Sequence, residues 1–272
     1  MLISLNNTLI KQIRKLHRGK ERRKQNLFLL EGTHLLESAL RADYPLVTVC
    51  CTPQWQQSNV QLWEESLQQA QRTELVTPEL LKAIATTVNP DGVVATAIPQ
   101  RRGLSLGEKI RLGLVLERLQ DPGNLGTIIR TAVAANVDGL WLSDDSVDLE
   151  NPKVLRASAG EWFRLPMSVS SDLKAVIQSY QAQGVQVVAT LPQASKTYWE
   201  IDFRIPTLIL LGNEGAGLST DLVALAQEQV TIPLSSKVES LNVAIAAALL
   251  LYEAKRQKET GNTEILHQYK DI

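Results

Sequence analysis

The chain has 272 residues, of which 44% are hydrophobic and 21% are charged. It is long enough for two domains of ordinary size, and its composition excludes a disordered or fibrous protein. The net charge of −1 hides an asymmetry, because residues 1–30 carry eight basic side chains against the single acidic Glu21. Such a basic segment favours a polyanionic partner, although an ordinary solvated helix has the same composition.

The cysteines and histidines argue against disulfide and metal chemistry. Cys50 and Cys51 are neighbours in an apolar run, so their side chains point to opposite faces of a strand and do not pair. The three histidines are scattered without metal-ligand spacing, so we expect no metal site. The chain opens without a secretory signal, and its longest uncharged apolar run, 243–252, is too short to cross a bilayer. We therefore expect a cytoplasmic protein with no membrane contact.

The first half of the chain alternates helical and extended patterns. Apolar residues at helical spacing from Leu5 to Leu16 predict an amphipathic helix that ends near Gly19. Further helices are predicted at 35–40, at 60–71 and from Thr77-Pro78 onward. Short strands are predicted at 27–32, 45–52, 74–76 and 91–98. The sequence therefore predicts a small α/β domain, followed by a linker with prolines and glycines over 99–108.

The second half predicts a parallel sheet. Its strands are predicted at 111–119, 139–143, 166–169, 185–190, 206–211 and 229–234. Helices are predicted between and after them, at 125–135, from Asn151-Pro152 onward, at 172–183, from Ser219 onward and at 241–258. Alternation of this kind gives a mainly parallel sheet with helices on both sides. We therefore divide the chain into an α/β domain over 1–103, a second α/β domain over 104–260 and a polar tail over 261–272.

A first candidate site lies in DPGNLGTIIRTA, residues 121–132, which follows a predicted strand and opens a helix. Arg130 lies off the apolar stripe of this helix, so its side chain can reach a ligand beyond the strand ends, where open α/β sheets build their sites. Taken alone, the segment is better explained by a surface arginine on an ordinary helix that has Asn124 as its N-cap.

Two further segments have unusual compositions. LGNEGAGL, residues 211–218, places Glu214 among three glycines, which is more than a tight turn capped by Ser219 requires. Its glycine spacing misses the dinucleotide-binding fingerprint. IPLSSKVESLNVA, residues 232–244, leads into a helix rich in alanine and leucine, for which Ser240 is the predicted N-cap. A plain core helix explains the alanines but not the polar S-L-N step.

Together and in this order, the three segments resemble the motifs N-x-G-x-x-x-R, L-G-N-E-G-x-G and I-P-[ML] followed by S-L-N-V-[AS] of the SpoU, or TrmH-type, family of RNA methyltransferases in the SPOUT superfamily. The resemblance covers the whole chain, because residues 1–103 look like the family's RNA-binding domain. It implies an α/β SPOUT domain with a deep trefoil knot and a homodimer. It also implies S-adenosyl-L-methionine as the cofactor and methyl transfer to a ribose 2′-hydroxyl.

The resemblance further implies which residues act. The positions that match the family's functional residues are Asn124, Arg130, Glu214, Ser240 and Asn242. Backbone groups that would hold the cofactor belong to Leu211, Gly212, Ile232, Leu234 and Leu241. In the basic N-terminal segment, the side chains expected to bind RNA phosphates are Lys11, Arg14, Lys15, Arg18, Arg22 and Arg23.

The expected role of Arg130 follows from the chemistry of its side chain. A guanidinium has a pKa above about 12 and only donates hydrogen bonds, so it does not remove the proton of the attacking hydroxyl. We expect it to stabilise the developing alkoxide and to grip the adjacent phosphate. Phosphate or water would then take the proton.

Several substrates are compatible with the sequence. We expect 23S ribosomal RNA over transfer RNA, because transfer-RNA members of the family more often lack the first domain. The alternatives are an RNA-binding protein with a decayed site, a methyltransferase for a metabolite or a protein, and a methyltransferase that confers antibiotic resistance. The intact motifs oppose the first alternative, and the basic N-terminal segment opposes the second.

Overall fold

The computed structural model describes residues 1–100, 103, 108–236 and 238–260, which form two compact units. One unit comprises Met1–Gln100 together with Asp148–Arg164, and the other comprises the described residues within 101–147 and 165–272. Most of the predicted linker and the whole predicted tail lie outside the described residues. No helix in the described part of the chain is long and apolar enough to cross a membrane.

The first unit contains a mixed sheet and a set of short helices. Its strands are β1 (Phe28–Glu31), β2 (Leu46–Cys51), β3 (Arg72–Leu75) and β4 (Val93–Ala97), in the order β1-β4-β2-β3. β4 runs antiparallel to both neighbours, whereas β2 and β3 are parallel. The helices are α1 (Thr8–Lys15), α2 (Gly19–Gln25), α3 (Thr33–Arg41), α4 (Pro53–Ser58), α5 (Val60–Gln69), α6 (Pro78–Ile84) and, from the later segment, α8 (Pro152–Ala157).

Local sequence explains where some of these helices begin and end. Thr77 accepts a hydrogen bond from Leu80 N at 3.4 Å directly before α6, which confirms the predicted helix start. α2 was not predicted, because its sequence GKERRKQ has no apolar periodicity. It ends at Asn26, whose φ of +50° lies in the left-handed region that asparagine tolerates. The predicted helix therefore corresponds to α1, which ends at Lys15, and the unpredicted α2 begins at Gly19.

Cys50 and Cys51 lie in the predicted strand, β2, where both are buried and free. Burial raises the pKa of each thiol to about 12, so neither forms a reactive thiolate near neutral pH.

The segment Asp148–Arg164 lies in the first unit, whereas the sequence analysis placed it in the second domain. Trp162 packs against Phe28 and Tyr44, with ring centroids 5.4 and 5.8 Å apart. Arg156 Nη1 lies 3.1 Å from Oε2 of the buried Glu31. The return of a chain to an earlier domain depends on such long-range packing and leaves no local signal in the sequence.

The second unit contains a parallel sheet, as predicted. Its strands are β5 (Leu112–Leu116), β6 (Gly139–Ser143), β7 (Met167–Ser170), β8 (Gln186–Thr190), β9 (Lys196–Thr197), β10 (Thr207–Leu211) and β11 (Glu228–Thr231). They lie in the order β7-β6-β5-β10-β8-β11-β9, and every described pair is parallel. The helices are α7 (Pro122–Ala134), α9 (Leu173–Gln181), α10 (Thr220–Val223) and α11 (Val243–Thr260). The trefoil knot stays a prediction.

The central strands of this unit are buried in its core. β5 and β10 are buried along their full length, which explains their continuous apolar sequences. Tyr180 of α9 packs edge-on against Trp141 of β6, with ring centroids 4.9 Å apart, and α7 contacts α11. Because all strands run the same way, their carboxyl ends meet at one edge of the sheet, which we call the carboxyl edge.

Candidate active site

The predicted motif segments begin at the carboxyl edge. β5 and β10 are paired, with Leu116 opposite Leu211. Glu117 N donates to the carbonyl of Leu211 at 2.9 Å, which extends this pairing by one residue. The loop that follows β5 and the turn that follows β10 therefore leave the sheet side by side. We call residues 212–218 the glycine-rich turn.

The glycine-rich turn is compact and closed. Asn213 and Gly217 exchange two backbone hydrogen bonds of 3.1 and 2.9 Å, and the Asn213 side-chain oxygen accepts from the amides of Gly215 and Ala216 at 2.9 Å. The turn folds back on Gly212, because a Cβ there would lie 2.2 Å from the carbonyl carbon of Gly217. Gly217 has a φ of +67°, which other residues rarely adopt. The turn therefore requires two of its glycines.

A chain of hydrogen bonds joins three of the predicted catalytic residues. Asn124 Nδ2 donates to Glu214 Oε1 at 3.1 Å, and Asn242 Nδ2 donates to Asn124 Oδ1 at 2.9 Å. Because a carboxylate only accepts, Glu214 fixes which end of the Asn124 amide faces Asn242. The motif segments that follow β5, β10 and β11 therefore meet in this network, which we call the Glu214–Asn124–Asn242 network.

Asn124 can take part in this network because it does not cap its helix. The carboxylate of Asp121 accepts from Asn124 N at 2.8 Å and is the N-cap of α7. The alternative in which Asn124 is the N-cap of an ordinary helix is therefore wrong.

Asn242 has a second task, at the start of α11. Its Oδ1 accepts from Ala244 N at 2.9 Å and from Ile245 N at 3.4 Å, directly before the helix begins. The predicted N-cap, Ser240, is wrong, because it lies two residues too early. Ser240 is exposed, and its side chain makes no hydrogen bond with any described residue.

Arg130 lies outside the Glu214–Asn124–Asn242 network. It is on the exposed side of α7, six residues after Asn124, which places it about 9 Å along the helix axis and about 120° around it. No acidic side chain in the described ranges forms a salt bridge with it. Its guanidinium donors are therefore available to a ligand or to another chain.

The residues expected to hold the cofactor lie at the carboxyl edge. Leu211 ends β10, and Ile232 follows β11. Leu234 and Leu241 are 37% and 36% exposed, so each presents apolar surface. β8 lies between β10 and β11, and its last residue, Thr190, has a buried hydroxyl with no hydrogen-bond partner among the described residues. Because buried polar groups are rarely left unpaired, this combination fits a nucleoside ligand with apolar and polar faces.

One charged residue of this edge, Arg118, was not predicted. Its carbonyl accepts from Asn213 Nδ2 at 2.8 Å, and its own amide donates to Ser143 Oγ at 2.7 Å. Its φ is +53°, an uncommon value for a residue with a long side chain. Nothing in the sequence around it marks such a backbone conformation.

The basic N-terminal segment presents its charges on one side of α1. Ile10 and Ile13 are buried in the first unit, whereas the basic residues between and after them face solvent. The predicted RNA-binding residues that are exposed are Lys11, Arg14, Lys15, Arg18 and Arg23. None of these five forms a salt bridge with a described acidic residue.

Arg22 is the exception, and the prediction that it binds RNA phosphate does not fit the structure. Its side chain is only 6% exposed, and its Nη2 and Nε donate to Asp148 Oδ2 at 2.6 and 3.1 Å. Nη1 donates to the carbonyl of Leu16 at 2.9 Å. Arg22 is therefore a structural residue that ties α2 to the segment Asp148–Arg164.

Two carboxyl groups next to this contact have shifted pKa values. Burial, followed by the neighbouring Asp148 carboxylate, raises the pKa of Glu150 to about 7. Burial opposes ionisation of Asp148 as well, but hydrogen bonds from Glu150 and Arg22 outweigh it and lower the pKa of Asp148. Glu150 therefore changes its charge near neutral pH.

The parallel sheet and the motif segments at its carboxyl edge fit the expected α/β methyltransferase of the SPOUT kind, and comparisons with known proteins identify its family. The model of the SpoU rRNA methylase family matches residues 111–252, and the model of the MRM3-like substrate binding domain matches residues 7–95. The chain belongs to the SpoU rRNA methylase family.

Two relatives and one solved structure span nearly the whole chain. An uncharacterised tRNA/rRNA methyltransferase of Synechocystis sp. is 49% identical over 262 residues, which covers 96% of each chain. The 23S rRNA (guanosine(2553)-2′-O)-methyltransferase RlmP of Bacillus subtilis is 33% identical over 252 residues, which covers 93% of this chain and 98% of the relative. The AdoMet-bound rRNA methyltransferase of Sinorhizobium meliloti has a TM-score of 0.82 at 33% identity, and the match covers 94% and 97% of the two chains. The predicted family and cofactor are confirmed.

Proposed function

We propose that this chain transfers a methyl group from S-adenosyl-L-methionine to a ribose 2′-hydroxyl of 23S rRNA. The observation that carries the proposal is the Glu214–Asn124–Asn242 network, with hydrogen bonds of 3.1 and 2.9 Å, at the edge expected to hold the cofactor. The relative RlmP of Bacillus subtilis, which the chain matches over 98% of the relative's length, is named for 2′-O-methylation of 23S rRNA.

The cofactor supplies an electrophilic methyl group on a sulfonium sulfur when it is bound. The backbone of Leu211 and Gly212 holds its nucleoside part together with that of Ile232, Leu234 and Leu241. The close contact between the Gly212 and Gly217 backbones supports this assignment, because it fixes the backbone directly after Leu211 at a position that has no side chain.

The residues of the network position the target ribose. Glu214 Oε1 is engaged by Asn124, whereas Oε2 accepts no hydrogen bond from a described residue and can accept one from a ribose hydroxyl. Asn242 holds Asn124 in place. Ser240 is exposed and lies two residues before Asn242, so we assign it a contact with the nucleotide. Arg130 stabilises the developing alkoxide and binds the adjacent phosphate, and phosphate or water takes the proton.

The position of Arg130 favours a homodimer as the active form. One chain does not bring Arg130 into its own network, so we assign it to the site of a second copy. The exposed side of α11 offers an apolar surface for that copy: Ile245 and Tyr252 are each 51% exposed, and Leu249 is 37% exposed. These residues recur at helical spacing and form one stripe.

Sedimentation tests the homodimer. The full chain should sediment as a species of twice the monomer mass of 30.1 kDa. Ile245→Glu should shift the equilibrium towards the monomer and reduce activity. Leu67→Glu in α5 is the matched control, because Leu67 is 52% exposed and belongs to the first unit, not to α11. A wild-type chain that stays monomeric at assay concentration contradicts the homodimer.

The first unit binds RNA through phosphates. Lys11, Arg14 and Lys15 lie at i, i+3 and i+4 of α1, so one face of this helix presents three unpaired charges. Replacing all three by glutamine should lower the salt dependence of RNA binding by about two units, at about 0.7 per single-strand contact. An unchanged salt dependence would remove α1 from the RNA-binding surface.

In vitro transfer of radiolabelled methyl groups tests the proposed function. The full chain is incubated with unmodified 23S rRNA, with large ribosomal subunits and with transfer RNA, and 2′-O-methylation is read as resistance of one phosphodiester bond to alkali. We expect label in 23S rRNA, alone or in the subunit, and at least a 100-fold loss for Asn124→Ala. Gln178→Ala, on the exposed side of α9, is the control. Label in transfer RNA alone would overturn the substrate assignment.

A further inference from the structure

Arg118 occupies a backbone position that an arginine rarely takes. It lies two residues after the end of β5, and its φ of +53° lies in the left-handed region, where a residue with a Cβ costs about 1–2 kcal/mol. Glycine adopts this conformation without strain, and asparagine tolerates it. Glycine or asparagine at this position would therefore cause less backbone strain than arginine does.

The side chain of Arg118 is not needed to hold the glycine-rich turn. The turn is tied to this position by the Arg118 carbonyl, which accepts from Asn213 Nδ2 at 2.8 Å and would do so in any residue. The guanidinium adds only a contact of 3.5 Å from Nη2 to the carbonyl of Gly217. That distance is at the outer limit of a hydrogen bond.

Most of the donors of this guanidinium are unused. Nη2 lies 3.7 Å from Glu117 Oε2, and that same oxygen accepts a shorter bond of 2.7 Å from Ser219 N. Nε is buried and has no hydrogen-bond partner among the described residues. A guanidinium has five N–H donors, and a buried one without an acceptor is costly. The side chain is 37% exposed, so a ligand can reach its outer nitrogens.

We propose that Arg118 is a substrate-binding residue whose guanidinium binds a phosphodiester of the RNA beside the target nucleotide. The inference rests on the proposed function and adds a second cation to the site. Arg130 lies on α7, and we assign it to the partner's site. Arg118, in contrast, contacts the glycine-rich turn that carries Glu214 of the same chain. The terminal nitrogens of Arg118 bind the phosphate oxygens, and the bound phosphate draws the guanidinium away from the Gly217 carbonyl.

The test uses full-length protein with Arg118→Gly and Arg118→Asn. Both residues accept the backbone conformation, so each variant should unfold at or above the wild-type temperature. Arg118→Lys keeps the charge but loses the planar fork. Arg204→Asn is the matched control, because Arg204 is paired with Asp202 and lies before β10, at the opposite edge of the sheet.

We expect Arg118→Gly and Arg118→Asn to raise the KM for 23S rRNA about tenfold, with kcat within about threefold of wild type. The dissociation constant for 23S rRNA, measured with S-adenosylhomocysteine present, should rise equally, and its salt dependence should fall by about 0.7 to 0.9. Arg118→Lys should keep the wild-type salt dependence, and Arg204→Asn should change nothing.

Three results would overturn the assignment. The first is wild-type RNA affinity and salt dependence in both Arg118→Gly and Arg118→Asn. The second is a weaker affinity for S-adenosylmethionine but not for methylthioadenosine, which would assign the guanidinium to the cofactor carboxylate. The third is a lower kcat at unchanged KM, which would mean that it acts through the Glu214 turn. If wild-type protein binds 23S rRNA without methylating it, the proposed function fails while the comparison of salt dependence still decides the role of Arg118.

Discussion

The three glycines of the glycine-rich turn should differ sharply in their tolerance of alanine. A Cβ on Gly212 would lie 2.2 Å from the carbonyl carbon of Gly217 and 2.4 Å from its oxygen. These are backbone atoms, so no rotamer change relieves the clash. A Cβ on Gly215 would meet only the Asn213 side-chain oxygen, at 3.6 Å. Gly217 is intermediate, because its Cβ would enter open space but its φ is +67°.

The expected cost follows from these distances. Overpacking against fixed backbone costs about 1–3 kcal/mol or more, so Gly212→Ala should lower the unfolding temperature by about 4–10 °C. Gly217→Ala should cost about 1–2 kcal/mol from its left-handed backbone alone. Gly215→Ala should be nearly neutral. Because Gly212 is also expected to contact the cofactor, its substitution should weaken S-adenosylhomocysteine binding by at least about tenfold.

Thermal unfolding and calorimetric titration of S-adenosylhomocysteine measure these quantities on the same samples. The order of damage should be Gly212→Ala, then Gly217→Ala, then Gly215→Ala. A Gly212→Ala variant as stable as Gly215→Ala, with the same affinity, would refute the argument that close backbone contact shapes this turn.

Three further predictions concern other parts of the molecule. Asn242→Ala removes the 2.9 Å bond to Asn124 and the cap of α11, so kcat should fall at least about tenfold and stability by about 1 kcal/mol. Arg130→Lys should lower kcat about 10–100-fold without changing stability, because the planar fork is lost at an exposed site. Glu150→Gln should stabilise the protein by about 1–3 kcal/mol above pH 7 and change little near about pH 5, as measured by urea unfolding.

The pH dependence of the effect of Glu150→Gln follows from the direction in which the fold shifts the pKa of Glu150. The folded protein holds the Glu150 proton up to a pKa of about 7, whereas the unfolded chain releases it near the ordinary value of 4.5. Stability is therefore lost as pH rises through this interval, and glutamine, which has no charge to bury, avoids the loss. An equal effect at both pH values would contradict this account of Glu150, and wild-type turnover in Arg130→Lys would contradict the bidentate role of Arg130.

Local sequence patterns predicted most elements of the fold. Buried strands such as β10 are continuous apolar runs, and helix starts such as Thr77 and Asn151 combine a capping residue with a following proline. α2 was not predicted because its one buried residue, Arg22, is charged. The helix therefore has no apolar periodicity in its sequence. The place of β10 between β5 and β8 was not predicted either, since strand order depends on long-range pairing.

The candidate site was predicted in its residue types but not in its contacts. The motifs predicted that Asn124, Glu214 and Asn242 are functional residues. Only the structure shows that hydrogen bonds join them in one network. The error at Ser240 has a simple origin, because serine and asparagine cap helices equally well and only the backbone distinguishes them. Arg118 was missed because its conformation is set by neighbours such as Ser143 and Asn213, which are distant in sequence.

The most direct test of the account is a map of ribose methylation across all ribosomal and transfer RNA, in cells with and without the gene. The account predicts that one 2′-O-methyl group disappears from 23S rRNA and returns with the wild-type gene but not with Asn124→Ala. An unchanged 23S rRNA, or a loss confined to transfer RNA, would contradict it.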